Sequence, residues 1–261
     1  MTDLIRFSDG DIYEQTMSRW SALAGGQFLD WLAPPPGAAW LDLGCGTGTF
    51  TRMIAARCAP AAITGIDPAE PQLAFARQAP APLPIDYRQA DAQALPFPAA
   101  SFDQAVMALV IFFLPDPAKG VAEMARVLSP GGTASAYAWD TLGNGSPTAP
   151  IQRAVEACGH TPPALPSAAA SGLAELRALW SRAGFTDIET TVIDIETHFD
   201  SFAPYWAMMR RMPRVSTLLD RLGAAEVEAV RVALLRQVAP DEHTPFTATA
   251  RANAIHGRRP G

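Results

Sequence analysis

The feature that most limits what this chain can fold into is Trp40-Leu41-Asp42-Leu43-Gly44-Cys45-Gly46-Thr47-Gly48-Thr49. An apolar stretch runs into three alternating glycines, and a helical pattern starts at once. Glycine tolerates positive φ and leaves bare backbone, so a side chain at Gly44 or Gly46 would fill space that a ligand can occupy. The helix that follows aims its first amides at the loop. A strand, a glycine turn and a helix in this order open the first βα unit of a parallel sheet, the edge where open α/β folds bind nucleoside-like ligands.

The rest of the chain repeats the alternation. Ahead of the loop, Tyr13, Met17, Trp20 and Ala24 predict a helix over 9–24 with Asp9 as its cap, and a short helix over Gln27–Leu32 ends at three prolines. After it come a strand Ala39–Leu43, a helix Phe50–Cys58, a strand Ala62–Ile66, a helix Pro71–Gln78 and a strand Ile85–Gln89. A buried strand Phe102–Phe112, a helix Pro117–Leu128 and a strand Thr133–Trp139 follow. Near-continuous apolar strands predict a parallel sheet covered on both faces. Residues 141–171 are rich in Gly, Ser, Pro and Ala and read as a long connection, either mobile or folded over a site. A helix Leu173–Ala183, a strand Asp187–His198, a mostly helical segment 201–238 and a final strand Phe246–Ile255 complete the pattern.

Composition excludes several classes. Acidic residues outnumber basic ones 26 to 20, for a net charge of −6, which disfavours nucleic-acid binding through a basic surface. Cys45, Cys58 and Cys158 are widely spaced with no CxxC, and the four histidines show no ligand spacing, so neither a disulfide framework nor a metal site is expected. The longest apolar run, Ala105–Leu114, is too short for a membrane span. The first residues carry acids and no apolar signal core, so a soluble cytoplasmic protein is expected.

The spacing narrows the ligand. The glycines fall as G-x-G-x-G; a dinucleotide fingerprint needs a glycine where Thr49 stands, and a phosphate loop needs a Gly-Lys pair that is absent. Ile63-Thr64-Gly65-Ile66-Asp67 puts a carboxylate at the end of the second strand, suited to a pair of ribose hydroxyls. Gln89-Ala90-Asp91-Ala92 puts a side-chain acceptor and a following amide at the end of the third strand, where they can read an adenine edge.

With these segments in order, followed by Arg126-Val127-Leu128-Ser129-Pro130-Gly131-Gly132, residues 10–140 resemble the class I S-adenosylmethionine-dependent methyltransferases, in particular the small-molecule, ubiquinone-biosynthesis-like branch. The resemblance implies a Rossmann-like, doubly wound seven-stranded α/β sheet with its last strand antiparallel, plus helical cap and lid elements. It implies an N-terminal helical cap over 1–36 and a methyltransferase domain over 37–261 with a helical insertion at 201–240. S-adenosylmethionine would be the cofactor and S-adenosylhomocysteine its product. Gly44, Cys45, Gly46 and Gly48 would wrap the methionine part, with Asp42 under the loop near the amino group. Asp67 would take the ribose beside Pro68, and Asp91 and Ala92 the adenine. Met107 and Ala108 would line the methionyl side through backbone atoms, and Tyr13, with Arg19 or Trp20, would cover the cofactor.

Where relatives carry histidines after the fourth strand, this chain has Phe112-Phe113, which accept no proton, so no general base is assigned. The expected acceptor is a small hydrophobic or aromatic molecule against Phe113, Trp139, Tyr205 and Trp206, on a monomer or homodimer with no nucleic-acid or membrane partner. Two other readings stay open: a non-catalytic S-adenosylmethionine-binding protein, and a nicotinamide-dependent oxidoreductase. Packing alone also explains Tyr13, Trp20, Tyr205 and Trp206 as core, and Cys45 as a small residue that fits the turn.

Overall fold

The computed structural model describes residues 17–261, without the side chains of Pro213 and Arg214. Tyr13 and the start of the expected 9–24 helix lie outside the described residues. Helix α1 is Ser18–Leu32, one continuous helix that takes in the separate Gln27–Leu32 segment. It is followed by β1 (Ala39–Leu43), α2 (Thr49–Arg57), β2 (Ala62–Asp67), α3 (Glu70–Gln78), β3 (Asp86–Gln89) and β4 (Phe102–Ala108). Then come α4 (Pro117–Val127), β5 (Leu128–Trp139), α5 (Ala149–Ala157), α6 (Leu173–Arg182) and β6 (Thr186–Phe199). Helices α7 (Phe202–Met209), α8 (Pro213–Leu219) and α9 (Ala224–Val238) lead into β7 (Phe246–Arg258).

The seven strands form one sheet in the order β3-β2-β1-β4-β5-β7-β6. β1 to β5 run parallel, and β7 runs antiparallel to both β5 and β6. In β1 and β4 consecutive residues are buried, so both faces of the centre are covered. Trp20, Ala24, Phe28 and Leu29 of α1 are buried in the core, and α1 packs beside α2 and against β6 and β7. Asp30 anchors it to Arg57 of α2 at 2.5 Å. Trp20 is thus part of a structural layer, while Arg19 is exposed.

Three boundaries differ from the sequence reading, each for a local reason. β4 stops at Ala108, because Leu109 takes φ +62° and the chain turns into a 3-10 turn at Ile111–Phe113. An apolar run does not distinguish a strand from a buried turn. β5 begins at Leu128, which pairs with Phe102, and carries Ser129–Gly132 as an irregularity with Gly131 at φ +79°. The helical segment 201–238 is three helices, broken ahead of Pro213 and again at Gly223, where Glu226 caps α9 through the Gly223 amide at 2.8 Å.

The topology brings the insertion to the edge that carries the glycine loop. β6 is parallel to β5, so its end at Phe199 lies at the same edge as the ends of β1 and β4. Trp139, the last residue of β5, pairs with Ala252, so Phe246–Arg251 pair only with β6. At about 3.3 Å per residue this hairpin rises roughly 20 Å past the edge. The stacked rings of Phe199 and Phe246 and the Arg251–Asp194 ion pair hold it, and Phe202 and Tyr205 of α7 pack on its aromatic end. The 140–171 connection is folded rather than loose. Ser167 donates its amide to Phe112 O and its hydroxyl to Leu114 O, and buried Asn253 donates to Ser171 O.

Candidate functional site

The glycine loop is built by the strands beneath it. The amides of Gly44 and Cys45 both donate to Ile66 O at 2.7 and 2.8 Å, and Gly48 N donates to Cys45 O at 2.9 Å. Gly46 N donates to Asp67 Oδ2 at 3.0 Å, while Ala69 N donates to the other oxygen at 2.8 Å. Arg52 of α2 braces the loop through Thr47 O. Four loop amides thus donate within the protein, which fixes the loop and leaves it poor in donors for a pyrophosphate.

The three glycines also have different reasons. All have positive φ, at +73°, +54° and +77° for Gly44, Gly46 and Gly48. A Cβ on Gly44 would lie 2.5 Å from Val110 Cγ2, so that glycine makes room for the segment after β4 and not for a ligand. A Cβ on Gly48 would lie 2.3 Å from the Tyr87 hydroxyl. Of the three, it is at Gly46 that a Cβ meets no atom of the described residues within 4 Å, so there the loop offers bare backbone among the described residues.

Below the loop lies Asp42, fully buried. Thr51 Oγ1 donates to its Oδ2 at 2.6 Å, and its Oδ1 is buried with no hydrogen-bond partner among the described residues. Burial, and secondarily the field of Asp67, raises its pKa to about 7, against the lowering effect of Thr51. Asp67 is also raised by burial, partly offset by its two amide bonds. Burial and the two acids push the Cys45 thiol well above its ordinary range, so it is neutral and not a nucleophile. A buried carboxylate with an unsatisfied oxygen and a half-buried one beside the loop form a site that a positive group would relieve. The ammonium of a methionine moiety beside its sulfonium fits this; a nicotinamide dinucleotide's pyrophosphate does not.

The other sequence-predicted residues fall around this centre. Pro68 is exposed at the end of β2, with its carbonyl accepting from Gln89. Asp91 is exposed and takes the Gln93 amide at 2.8 Å; Ala92 behind it is buried. Met107 is fully buried, its methyl 3.1 Å from where a Gly120 Cβ would sit, so only its backbone can face the site. Ala108 is half-buried and precedes the Leu109 turn. Phe112 and Phe113 sit with ring centroids 4.6 Å apart, Phe112 buried and Phe113 half-buried, and Trp139 is buried at the end of β5. Tyr205 does not join them: it is 1% exposed among Phe199, Phe202 and Phe246, a packing residue of the insertion. Trp206, half-buried, keeps exposed surface. Asp116 and Asp140 cap turns through Lys119 N and Gly143 N.

Sequence reasoning missed Thr51, Tyr87 and Val110. Thr51 was readable as a polar residue one turn into α2, nine residues after Asp42. Tyr87 was not, because its role depends on lying opposite Gly65 in the sheet register. Burial pushes its phenol up to about 12, and its oxygen is buried near Cys45, Asp42 and Thr51.

A seven-stranded sheet with one antiparallel strand and an acid-backed glycine turn after β1 defines the class I methyltransferase fold. Comparison with known proteins agrees: residues 41–136 match the family described as a methyltransferase domain. The fold and the match over residues 41–136 make this chain similar to the class I S-adenosylmethionine-dependent methyltransferases. It is 39% identical over 109 residues to 2-phytyl-1,4-naphtoquinone methyltransferase of Thermosynechococcus vestitus, covering 41% of this chain and 48% of that one. It is 40% identical over 94 residues to demethylmenaquinone methyltransferase of Thermus thermophilus, covering 35% of this chain and 43% of that one. These matches span less than half the length of either relative. Among solved structures, phosphoethanolamine N-methyltransferase 2 of Haemonchus contortus, bound to phosphomonomethylethanolamine and S-adenosylhomocysteine, aligns with a TM-score of 0.58. That alignment has 18% identity and covers 99% of this chain and 60% of the other, a likeness of fold.

Proposed function

We propose that the protein transfers the methyl group of S-adenosylmethionine to a small hydrophobic or aromatic acceptor by in-line displacement. The observation that carries this reading is the buried Asp42 oxygen without a partner among the described residues, together with the bare backbone at Gly46. The ammonium of the cofactor's methionine part would be held by Asp42, the ribose by the remaining acceptor capacity of Asp67, and the adenine by Asp91 and the Ala92 amide over Pro68. When bound, the cofactor supplies a methyl group already activated on a sulfonium. The protein's own work is then alignment and exclusion of water, and proximity of this kind contributes about 7–11 kcal/mol. The rising β6–β7 hairpin and its helical insertion would wall the acceptor space, with Trp206, Phe113 and Trp139 as apolar surface. Two relatives whose names specify quinone substrates favour quinol-like acceptors with an apolar tail.

The direct test is calorimetric titration with S-adenosylhomocysteine, with NAD as the control, followed by turnover against phenols, amines and quinols. Saturable heat with the first and none with NAD is expected. Absence of saturation on folded protein overturns the reading. Binding without turnover on any acceptor class favours a sensor, a reading that the replacement of histidines by Phe112 and Phe113 also serves.

Tyr205 and Trp206 separate packing from contact. Tyr205→Ala is expected to cost about 3–5 kcal/mol of stability, the range for a large buried aromatic. Trp206→Ala is expected to leave the melting temperature within a few degrees and the S-adenosylhomocysteine affinity unchanged, while the acceptor KM rises severalfold. Denaturant titration and steady-state kinetics on both variants check the contrast.

A further inference from the structure

We propose that Tyr87 is a positioning residue of the cofactor site, the strut on which the Gly44–Gly48 loop rests. This inference rests on the reading of that loop as the S-adenosylmethionine site. Tyr87 lies on the edge strand β3, paired in register with Gly65 of β2. Asp86 and Arg88, its neighbours along the strand, pair with each other on the other face. The Tyr87 ring therefore crosses over Gly65 toward the loop. A Cβ on Gly65 would lie 2.9 and 3.0 Å from ring atoms Cδ1 and Cε1, and one on Gly48 would lie 2.3 and 2.9 Å from Oη and Cζ. Two glycines, one in the neighbouring strand and one at the start of α2, make room for a single ring.

The consequence is that Gly48 is glycine partly for the ring's sake. The ring lies between a fixed strand below and the N-cap of α2 above, so it sets the height of Gly48. Cys45 Sγ, 3.0 Å from the same Gly65 position, closes the third side. The height of Gly48 fixes where Gly46 offers its backbone and how Thr51, three residues into the helix, reaches Asp42. The loop's hydrogen bonds tie its start to Ile66 and Asp67, while at its end the Tyr87 ring, with the Ala76 methyl beside it, packs under Gly48.

Tyr87 does not fill the main core. Its outer edge faces a shallow surface groove of about 410 Å³ bordered by Ala76, Arg77 and Leu83. Truncating it should therefore leave the sheet folded, which makes the idea testable. The measurements are S-adenosylhomocysteine affinity by calorimetry, circular-dichroism melting, and kcat against KM for S-adenosylmethionine, on Tyr87→Phe, Tyr87→Leu, Tyr87→Ala, Gly65→Ala and Gly65→Ala/Tyr87→Ala. Tyr87→Phe keeps the ring and is expected to bind within threefold of wild type. Tyr87→Leu and Tyr87→Ala are expected to weaken binding at least tenfold and raise the cofactor KM in step, with kcat at saturation and acceptor KM little changed. Gly65→Ala, which displaces the ring, should weaken binding at least fivefold. The double variant should lose less than the two single variants combined, because without the ring the added methyl meets only Cys45 Sγ, at 3.0 Å.

Additive losses in the double variant, or normal binding by folded Tyr87→Leu, overturn the proposal. A loss of kcat with unchanged cofactor affinity overturns it as well. Should Tyr87→Ala fail to fold, Tyr87→Leu and Gly65→Ala carry the same test. Wild-type protein that does not bind S-adenosylhomocysteine refutes the function proposed above and not the strut as such; in that case thermolysin cleavage at the loop, faster in Tyr87→Leu than in Tyr87→Phe, still reads the ring's support, and equal rates reject it.

Discussion

Asp42→Asn is expected to abolish tight cofactor binding while making the empty protein more stable at alkaline pH. The carboxylate is fully buried and its pKa lies near 7, well above that of an unfolded aspartate. A raised carboxyl pKa means that the folded chain holds its proton more tightly than the unfolded one. The stability this provides is fully present below about pH 4 and is lost as the pH rises through about 7, with a total of about 4 kcal/mol for a shift of three units. Asparagine cannot ionise, so it escapes that loss. It still accepts from Thr51, but it turns the free oxygen into a buried amide donor facing no acceptor, which costs about 1–3 kcal/mol at every pH. The variant should therefore melt above wild type at pH 8, and the difference should vanish or reverse at pH 5.

Binding should respond in the opposite sense. An ammonium in the site requires the ionised carboxylate, so wild-type affinity for S-adenosylhomocysteine should rise about tenfold from pH 6 to pH 8 as Asp42 ionises. In Asp42→Asn the buried donor faces the ammonium instead. Affinity should fall at least tenfold at pH 8, and the pH profile should flatten. Thermal melting and calorimetry at pH 5, 6, 7 and 8 measure both halves. A variant that binds normally, or a wild-type profile with no slope near neutrality, would remove Asp42 from the site.

Much of this was legible in the chain because it depends on local pattern. The alternation from Ala39 to Trp139 predicts the parallel sheet and Phe246–Ile255 reads as a last strand, whose antiparallel direction comes from the family resemblance. The glycine spacing separates this loop from dinucleotide and phosphate loops. What stayed hidden depends on register and on where hydrogen bonds go. Nothing in Gly44-Cys45-Gly46 reveals that its amides donate to Ile66 and Asp67, since that partner comes from the next strand. Nothing in an apolar run from Phe102 to Phe112 reveals that Leu109 turns left-handed and sends Val110 back over Gly44. Tyr205 and Trp206 are adjacent and chemically alike, yet one is core and the other half-exposed, because a helix assigns successive residues to different faces.

The glycines themselves supply the second large effect, because the structure gives two of them opposite jobs. Gly46→Ala places a methyl where no atom of the described residues lies within 4 Å, so its stability cost is limited to the left-handed backbone, about 1–2 kcal/mol. That corresponds to a melting temperature lowered by roughly 2–8 °C. Its cost in binding should be far larger, since the methyl enters the space proposed for the methionine part, and a loss of tenfold or more in S-adenosylhomocysteine affinity is expected. Gly44→Ala carries the same backbone strain and also drives a methyl to 2.5 Å from Val110 Cγ2, which adds about 1–3 kcal/mol of overpacking. It should be the less stable of the two, and Val110→Ala, which removes both clashing γ-carbons, should restore much of its stability. No such partner change should restore binding to Gly46→Ala, because the atom it displaces belongs to the ligand. Folded Gly46→Ala protein with unchanged affinity would mean that the cofactor does not lie against this loop.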